Sequence, residues 1–161
     1  MTIEIVQADY GLPEHADAIV ALLDDYARDP MGGAEPLADE TRTNLVAELA
    51  KRPFALSIIA FVDGQPAGLI NAFEGFSTFA AKPLLNLHDI TVVKAYRGRG
   101  LSRLMMQKAE DIARERGCCK LTLEVLSGNA VAMSAYTRFG FAAYELDPEA
   151  GTARFLQKKL S

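Results

Sequence analysis

Residues 92–102 read Val92-Val93-Lys94-Ala95-Tyr96-Arg97-Gly98-Arg99-Gly100-Leu101-Ser102, an apolar strand end that runs directly into a basic, glycine-rich turn. Apolar residues then recur with helical spacing from Leu101 to Ala113, which predicts an amphipathic helix packed on a sheet. Glycines in such a turn let the backbone approach an anion closely, and the first helical N–H groups point at it. The segment therefore predicts either a pyrophosphate cradle or an ordinary strand-to-helix loop.

Two ordered motifs in this half of the chain resemble one known family. The first, Arg97-Gly98-Arg99-Gly100-Leu101-Ser102, is similar to the Arg/Gln-x-x-Gly-x-Gly/Ala acetyl-CoA signature of the GNAT superfamily of N-acetyltransferases, with Ser102 where Gly or Ala is usual. The second, Asn129-Ala130-Val131-Ala132-Met133-Ser134-Ala135-Tyr136-Thr137-Arg138-Phe139-Gly140-Phe141, resembles the family segment Asn-x-x-Ala-x-x-x-Tyr-x-x-x-Gly-Phe. The resemblance extends from about Leu84 to the end, and the first half matches only in its order of elements.

The resemblance implies an acetyl-CoA site built from a splayed strand, the glycine turn and a later helix. The strand backbone at residues 90–92 would pair with the pantetheine arm, and the turn would hold the pyrophosphate. Asn129 either contacts the cofactor or serves as the N-cap of its helix. The residues implied are Ile90, Thr91, Val92, Arg97, Gly98, Arg99, Gly100, Leu101, Ser102, Asn129 and Tyr136.

Hydrophobic periodicity along the chain predicts an α/β (α+β) fold with a mixed central sheet. The predicted order, β-α-α-β-β-β-α-β-α-β-β, resembles the GNAT order, with one N-acetyltransferase domain over residues 1–161. The Asp63-Gly64 pair predicts a tight hairpin turn between two strands. Strands are expected at 2–7, 54–62, 67–76, 84–93, 120–125, 141–144 and 153–158, and helices at 13–28, 36–51, 100–116 and 129–139.

Composition narrows the class of protein further. With 50% hydrophobic residues the 161-residue chain is expected to be folded rather than disordered. A net charge of −4 disfavours nucleic acid as a partner. No transmembrane span or signal peptide is predicted, so we expect a cytosolic protein without a membrane partner. Adjacent Cys118 and Cys119 lack metal-ligand spacing, and homodimers are common in the family it resembles.

Acetyl transfer to an amine needs a base, oxyanion stabilisation and a proton for the leaving thiolate, with no metal required. The resemblance implies Tyr136 as the acid, although its ring could equally pack a short helix. Residues 85–92 resemble the polyamine acetyltransferase branch, in which Glu-Asp commonly stands at the position of His88-Asp89. His88 is therefore either the base, directly or through water, or a structural histidine. Strand alternation predicts Asp89 on the opposite face, so the two should not act together.

The resemblance places the acceptor site between residues 26–35 and 73–82. The carboxylates of Asp24, Asp25, Asp29 and Glu35 either attract a cationic amine or form a solvated face. The predicted function is an N-acetyltransferase that uses acetyl-CoA to modify a small-molecule amine. The alternatives are a protein or peptide N-acetyltransferase and a non-catalytic acyl-CoA-binding module.

Overall fold

The computed structural model describes residues 1–144 and 147–161, which form two compact units, residues 1–126 and residues 127–161. The single domain over residues 1–161 stays a prediction. The strands of the first unit are β1 (Ile3–Gln7), β2 (Ala55–Val62), β3 (Gln65–Ser77), β4 (Lys82–Val92) and β5 (Leu121–Leu123). Its helices are α1 (Pro13–Arg28), α2 (Asp39–Ala50) and α3 (Leu101–Glu115), and the second unit contains α4 (Ala130–Phe139).

The five strands form one mixed sheet in the order β1-β2-β3-β4-β5, which confirms the predicted fold class. The first four are antiparallel neighbours, and β4 and β5 are parallel. Every residue of β2 is buried, because the apolar stretch lies at the centre of the sheet and is covered on both faces. The hairpin turn is also confirmed: Asp63 and Gly64 have φ of +49° and +79°, the left-handed values that such turns require.

Helices α1 and α2 bury apolar side chains against one face of the sheet. Ile19 and Leu22 of α1 and Leu49 of α2 belong to one core cluster with Ile59 of β2 and Leu69 of β3. Helix α3 buries an apolar stripe of its own, formed by Leu101, Met105, Met106, Ala109, Ile112 and Ala113. It approaches β3 closely at Gly68, where a Cβ would lie 2.8 Å from Met105 Cε.

Strands β4 and β5 are paired over three residues only, Leu85 to Leu87 against Leu121 to Leu123. Strand β4 continues to Val92, whereas β5 ends at Leu123, two residues short of the predicted end. The last part of β4 therefore has β3 on one side and no strand on the other within the described residues. The predicted splay of the strand pair stays a prediction, and the unequal strand lengths leave this edge of β4 without a neighbouring strand in the part of the chain that the structure describes.

A β-bulge interrupts the pairing of β3 with β4. Asn71 pairs with Asp89 and the next residue, Ala72, pairs with Leu87, so His88 has no opposite residue of its own. A bulge inserts one extra residue and changes the side-chain alternation beyond it. The consequence for His88 and Asp89 is described below.

The second unit begins with a capped helix. Asn129 Oδ1 accepts a hydrogen bond of 3.2 Å from the Ala132 N–H, as predicted for an N-cap, and α4 ends at Gly140 with φ of +116°. The Phe141 N–H donates to the Tyr136 carbonyl, and the Phe141 ring contacts those of Tyr136 and Phe139.

The predicted closing pair of strands is wrong for the part of the chain that is described, because residues 141–144 and 153–158 are not strands there. Alternating apolar residues favour a strand, but a strand also needs a hydrogen-bonded neighbour. Here the Phe141 N–H is already used at the end of α4, and Phe155 and Leu156 are exposed. No helix among the described residues is long and apolar enough to cross a membrane.

Candidate active site

A pocket of about 350 Å³ lies where α1 and α2 meet the middle of β3 and β4, around the β-bulge. Its wall is mostly apolar, with a few polar groups contributed by the two strands and by α1. The lining residues are Leu23, Tyr26, Ala27, Gly32, Leu37, Leu45, Leu49, Asn71, Phe73, His88 and Asp89. A concave apolar site with few polar groups is typical of small-molecule binding.

His88 and Asp89 both line this pocket, so the prediction that they lie on opposite faces is wrong. The cause is the bulge at His88, which breaks the strict alternation of the strand. The exposed His88 ring lies 5.3 Å from the Phe73 ring between centroids, and Asp89 is half-buried. The structure therefore brings together an imidazole and a carboxylate that the sequence analysis had separated.

Asp89 is held by a hydrogen bond from the sheet. Asn71 Nδ2 donates to Asp89 Oδ2 over 3.1 Å, and Ser57 Oγ lies 2.6 Å from Asn71 Oδ1. Tyr10 completes the contact series, with its hydroxyl 2.9 Å from Ser57 Oγ. The sequence analysis missed Ser57 and Asn71, although a single polar residue within an apolar strand was a usable signal, since buried polar groups need partners.

Tyr26 is an ionisable residue of the pocket wall, and its surroundings shift its pKa. Burial raises the pKa of Tyr26, and the negative charges of Asp89 and Asp29 raise it further. A tyrosine with a raised pKa stays protonated at neutral pH. Tyr26 therefore presents a hydroxyl that can donate a hydrogen bond into the pocket.

Two of the predicted acidic residues near the end of α1, Asp24 and Asp29, have partners within the protein and do not form an open binding site for a cation. Asp24 accepts from the Leu37 N–H over 2.9 Å and pairs with Arg28 and Arg42. Asp29 accepts from the Met31 N–H. Asp25 and Glu35 are exposed, as expected for a solvated face. Among the residues that line the pocket, the acidic one is Asp89.

The glycine turn has the backbone that an anion cradle requires. Gly98 and Gly100 have φ of +80° and +77°, and a Cβ at either position would meet nothing within 4 Å. Gly100 precedes α3 without a side-chain cap, so the first N–H groups of the helix have no partner from its N-cap. Leu101 is buried and anchors the helix, whereas Ser102 is half-buried at its first turn. This open backbone fits a pyrophosphate.

The two arginines of the turn contact other parts of the first unit. Arg97 Nε donates to the Val92 carbonyl over 3.0 Å, and its guanidinium lies 3.5 Å from the Asp29 carboxylate. The Arg99 guanidinium lies over the Tyr96 ring, 5.4 Å from the centroid. Arg99 thus packs on a residue just before the turn, and Arg97 connects the turn to Asp29 in the loop that follows α1.

Residues 90–92 form the part of β4 that lies beyond β5. Ile90, Thr91 and Val92 pair with β3 on one side, at Ile70, Leu69 and Gly68. Their other side has no strand in the described residues, and the Arg97 side chain occupies the Val92 carbonyl there. An unpaired strand edge can accept an extended amide-bearing chain by hydrogen bonding. The edge, the pocket and the glycine turn all belong to the first unit.

Tyr136 and Asn129, the remaining predicted site residues, belong to the second unit. The Tyr136 ring is half-buried and lies 6.1 Å from the Phe141 ring. Asn129 is the N-cap of α4. Their parts in acetyl-CoA binding and catalysis remain predictions from the second motif.

Comparison with known proteins identifies the family. The model described as the acetyltransferase (GNAT) family matches residues 19–141. Streptothricin acetyltransferase of Streptomyces lavendulae is 45% identical over 85 residues, which cover 53% of this chain and 43% of that protein. The thialysine N-epsilon-acetyltransferase of Caenorhabditis elegans is 26% identical over 125 residues, which cover 77% of this chain and 75% of that protein.

A solved structure has the same fold. A probable acetyltransferase superposes with a TM-score of 0.81 and 22% identity, over 98% of this chain and 99% of that one. This chain matches less than half of the length of the streptothricin acetyltransferase of Streptomyces lavendulae. Because the family match covers most of the sequence, the chain belongs to the GNAT family of acetyltransferases.

Proposed function

We propose that the chain transfers the acetyl group of acetyl-CoA to a primary amine of a small molecule, without a metal. The observation that carries this proposal is the pocket lined by His88 and Asp89. It lies next to the part of β4 that pairs with β3 but not with β5. Its volume of about 350 Å³ and its mostly apolar wall favour a small acceptor over a long peptide. The names of the two curated relatives, which refer to streptothricin and thialysine, support the same class of acceptor.

Acetyl-CoA would be held by the first unit at the glycine turn and the strand edge, with Asn129 and Tyr136 assigned by the motif. When bound, it supplies an acetyl group already activated as a thioester. The chain must supply an uncharged amine, because an alkylamine is protonated at pH 7 and deprotonation costs about 4.6 kcal/mol. We assign this proton to His88, directly or through water, since histidine ionises near neutral pH.

Asp89 and Tyr136 have complementary parts in the proposal. Asp89 presents a carboxylate to the pocket, where it attracts the ammonium form of the acceptor before the proton leaves. The amine nitrogen then bonds to the thioester carbon, the carbon–sulfur bond breaks, and the sulfur receives a proton. Tyr136 is the proposed donor of that proton, on the strength of the family motif.

The test is thiol release from acetyl-CoA with four classes of amine: polyamines, amino acids, aminoglycosides and short peptides. We expect turnover with a small molecule and little with peptides. His88→Gln should lower kcat for the best amine at neutral pH, because glutamine cannot accept a proton there.

Other outcomes would replace the proposal. Turnover restricted to peptides would indicate a protein acetyltransferase, and CoA binding without turnover of any amine would indicate a binding module. An unchanged kcat in His88→Gln would make this residue structural. Location in the cytosol and a homodimeric state are part of the proposal, and light scattering of the purified protein tests the second.

A further inference from the structure

Four side chains form a continuous hydrogen-bonded row that ends at the acceptor pocket. The Tyr10 hydroxyl lies 2.9 Å from Ser57 Oγ, which lies 2.6 Å from Asn71 Oδ1, and Asn71 Nδ2 lies 3.1 Å from Asp89 Oδ2. Ser57, Asn71 and Asp89 are direct register partners on β2, β3 and β4. Tyr10 joins them from the loop between β1 and α1.

The donors of this row can be assigned from the chemistry of its members. Asp89 as a carboxylate only accepts, so the Asn71 amide must turn its NH₂ towards Asp89 and its oxygen towards Ser57. Ser57 then donates its single proton to Asn71, which leaves Tyr10 as the donor to Ser57. Burial raises the pKa of Tyr10, which is consistent with a protonated donor. Every hydrogen bond therefore acts in one direction, towards Asp89.

Burial makes this row costly to break. Ser57 is 0% exposed and lies in a strand that is otherwise apolar, and Asn71 is 3% exposed and lies in the buried stretch of β3. A buried polar group that loses its partner destabilises the fold, because its desolvation is no longer offset by a hydrogen bond. Asn71 has partners at both ends of its amide, so its rotamer is determined on both sides. The amide cannot carry a proton onward without changing its tautomer, so the row is suited to orientation and not to proton conduction.

We propose that Tyr10, Ser57 and Asn71 are positioning residues that orient the Asp89 carboxylate towards the ammonium group of the acceptor. Asn71 occupies Asp89 Oδ2, and Oδ1 receives no hydrogen bond from the described residues, so that atom is available to the acceptor. This inference rests on the proposed function, because it assigns Asp89 to the acceptor amine. It makes acceptor binding depend on Tyr10, which does not line the pocket.

The experiment is a double-mutant cycle between Tyr10→Phe and Asp89→Asn, measured with the best amine from the acceptor panel. Tyr10→Phe should lower kcat/KM for the amine about two- to tenfold, the effect of one neutral hydrogen bond, and leave KM for acetyl-CoA unchanged. In the Asp89→Asn background the same change should have no further effect, because the carboxylate charge that the row orients towards the ammonium group is absent. Ser57→Ala should resemble Tyr10→Phe, and Asn71→Leu should lose more.

The control is Thr122→Val, which removes a hydroxyl from another hydrogen bond to an asparagine of β4. Asn86 Nδ2 donates to Thr122 Oγ1 over 2.9 Å, and neither residue lines the pocket. This variant should be destabilised to a similar extent while keeping kcat/KM for the amine.

Three results would overturn the inference. The first is an unchanged kcat/KM in Tyr10→Phe, and the second is an equal loss with and without Asp89. The third is an equal loss in Thr122→Val, which would make the effect one of stability. Each of these three results presupposes that the wild type acetylates an amine. A wild type that acetylates no amine would instead overturn the proposed function, and the inference with it.

Discussion

The backbone conformation of the proposed cofactor cradle depends on Gly100. Its φ is +77°, and an L-residue in this conformation costs about 1–2 kcal/mol. Gly117, at the other end of α3, has almost the same φ of +75° and the same open surroundings. The two glycines therefore have equal backbone requirements and lie at opposite ends of one helix.

We expect Gly100→Val and Gly117→Val each to lose at least about 1 kcal/mol of unfolding free energy, measured by chemical denaturation. Only Gly100→Val should also lose CoA affinity, measured by calorimetry, because its side chain would stand where the pyrophosphate approaches. Equal CoA affinity in the two variants would place the cradle elsewhere.

Tyr136 is the residue on which the proposed leaving-group chemistry depends. Tyr136→Phe keeps the ring that contacts Phe141, so melting temperature and CoA affinity should change little. Turnover should fall about ten- to a thousandfold, because general acid catalysis is lost while a thiolate remains a fair leaving group. Full turnover, measured where chemistry limits the rate, would leave Tyr136 with a packing role. A large fall in melting temperature would assign its hydroxyl to a structural contact.

At the scale of elements, Asp24 joins α1 to the segment that precedes α2. The Leu37 N–H and the guanidinium groups of Arg28 and Arg42 hold the pKa of Asp24 below its ordinary value. Because the folded state favours the ionised form, Asp24 contributes stability above the ordinary carboxyl range. That contribution is lost as the pH falls through the lowered pKa.

Asp24→Asn should therefore melt at a lower temperature than the wild type at neutral pH. The difference should shrink as the pH falls below about 4, where the carboxyl also becomes protonated. Asp25→Asn is the matched control, since this neighbouring carboxylate is exposed. A constant difference in melting temperature for Asp24→Asn down to low pH would contradict the ionic contribution.

Strands β4 and β5 differ in length, and this difference creates the proposed cofactor edge. The parallel pairing ends at Leu87 and Leu123, and β4 continues to Val92. This leaves backbone groups of residues 90–92 next to His88 and Asp89, which face the pocket. In the proposed function, one strand therefore meets the acceptor at its bulge and binds the extended chain of the cofactor just after it.

For the whole molecule, a ligand that binds only the folded state should stabilise it. At a hundredfold excess over Kd the gain is about 2.7 kcal/mol, which corresponds to a rise in melting temperature of about 5–10 °C for a chain of this size. CoA and acetyl-CoA should both produce this shift in a thermal melt, and Gly100→Val should reduce it. No shift at millimolar CoA would contradict the cofactor assignment.

The sequence by itself was sufficient for the features whose signal is local. The glycine turn, the Asp63-Gly64 hairpin and the stripe of α3 each depend on residues close together in the chain, so propensity and spacing predicted them. The two motifs also predicted the family. The closing strands were predicted by the same local pattern and did not form in the described residues, because strands depend on a distant partner.

Only the tertiary structure decided how the pocket is built. The bulge at His88 arises from the pairing of β4 with β3, so alternation within β4 alone placed Asp89 on the wrong face. Tyr10 and Ser57 are 47 residues apart, and Ser57 and Asn71 are 14 apart, yet they form one hydrogen-bonded row. Asp24 in α1 is a candidate cation-binding residue by sequence alone, but in the structure Leu37 and Arg42 are its partners. Strand pairing and hydrogen bonding between distant segments are not encoded in local periodicity, and these contacts made Asp89 the carboxylate of the pocket.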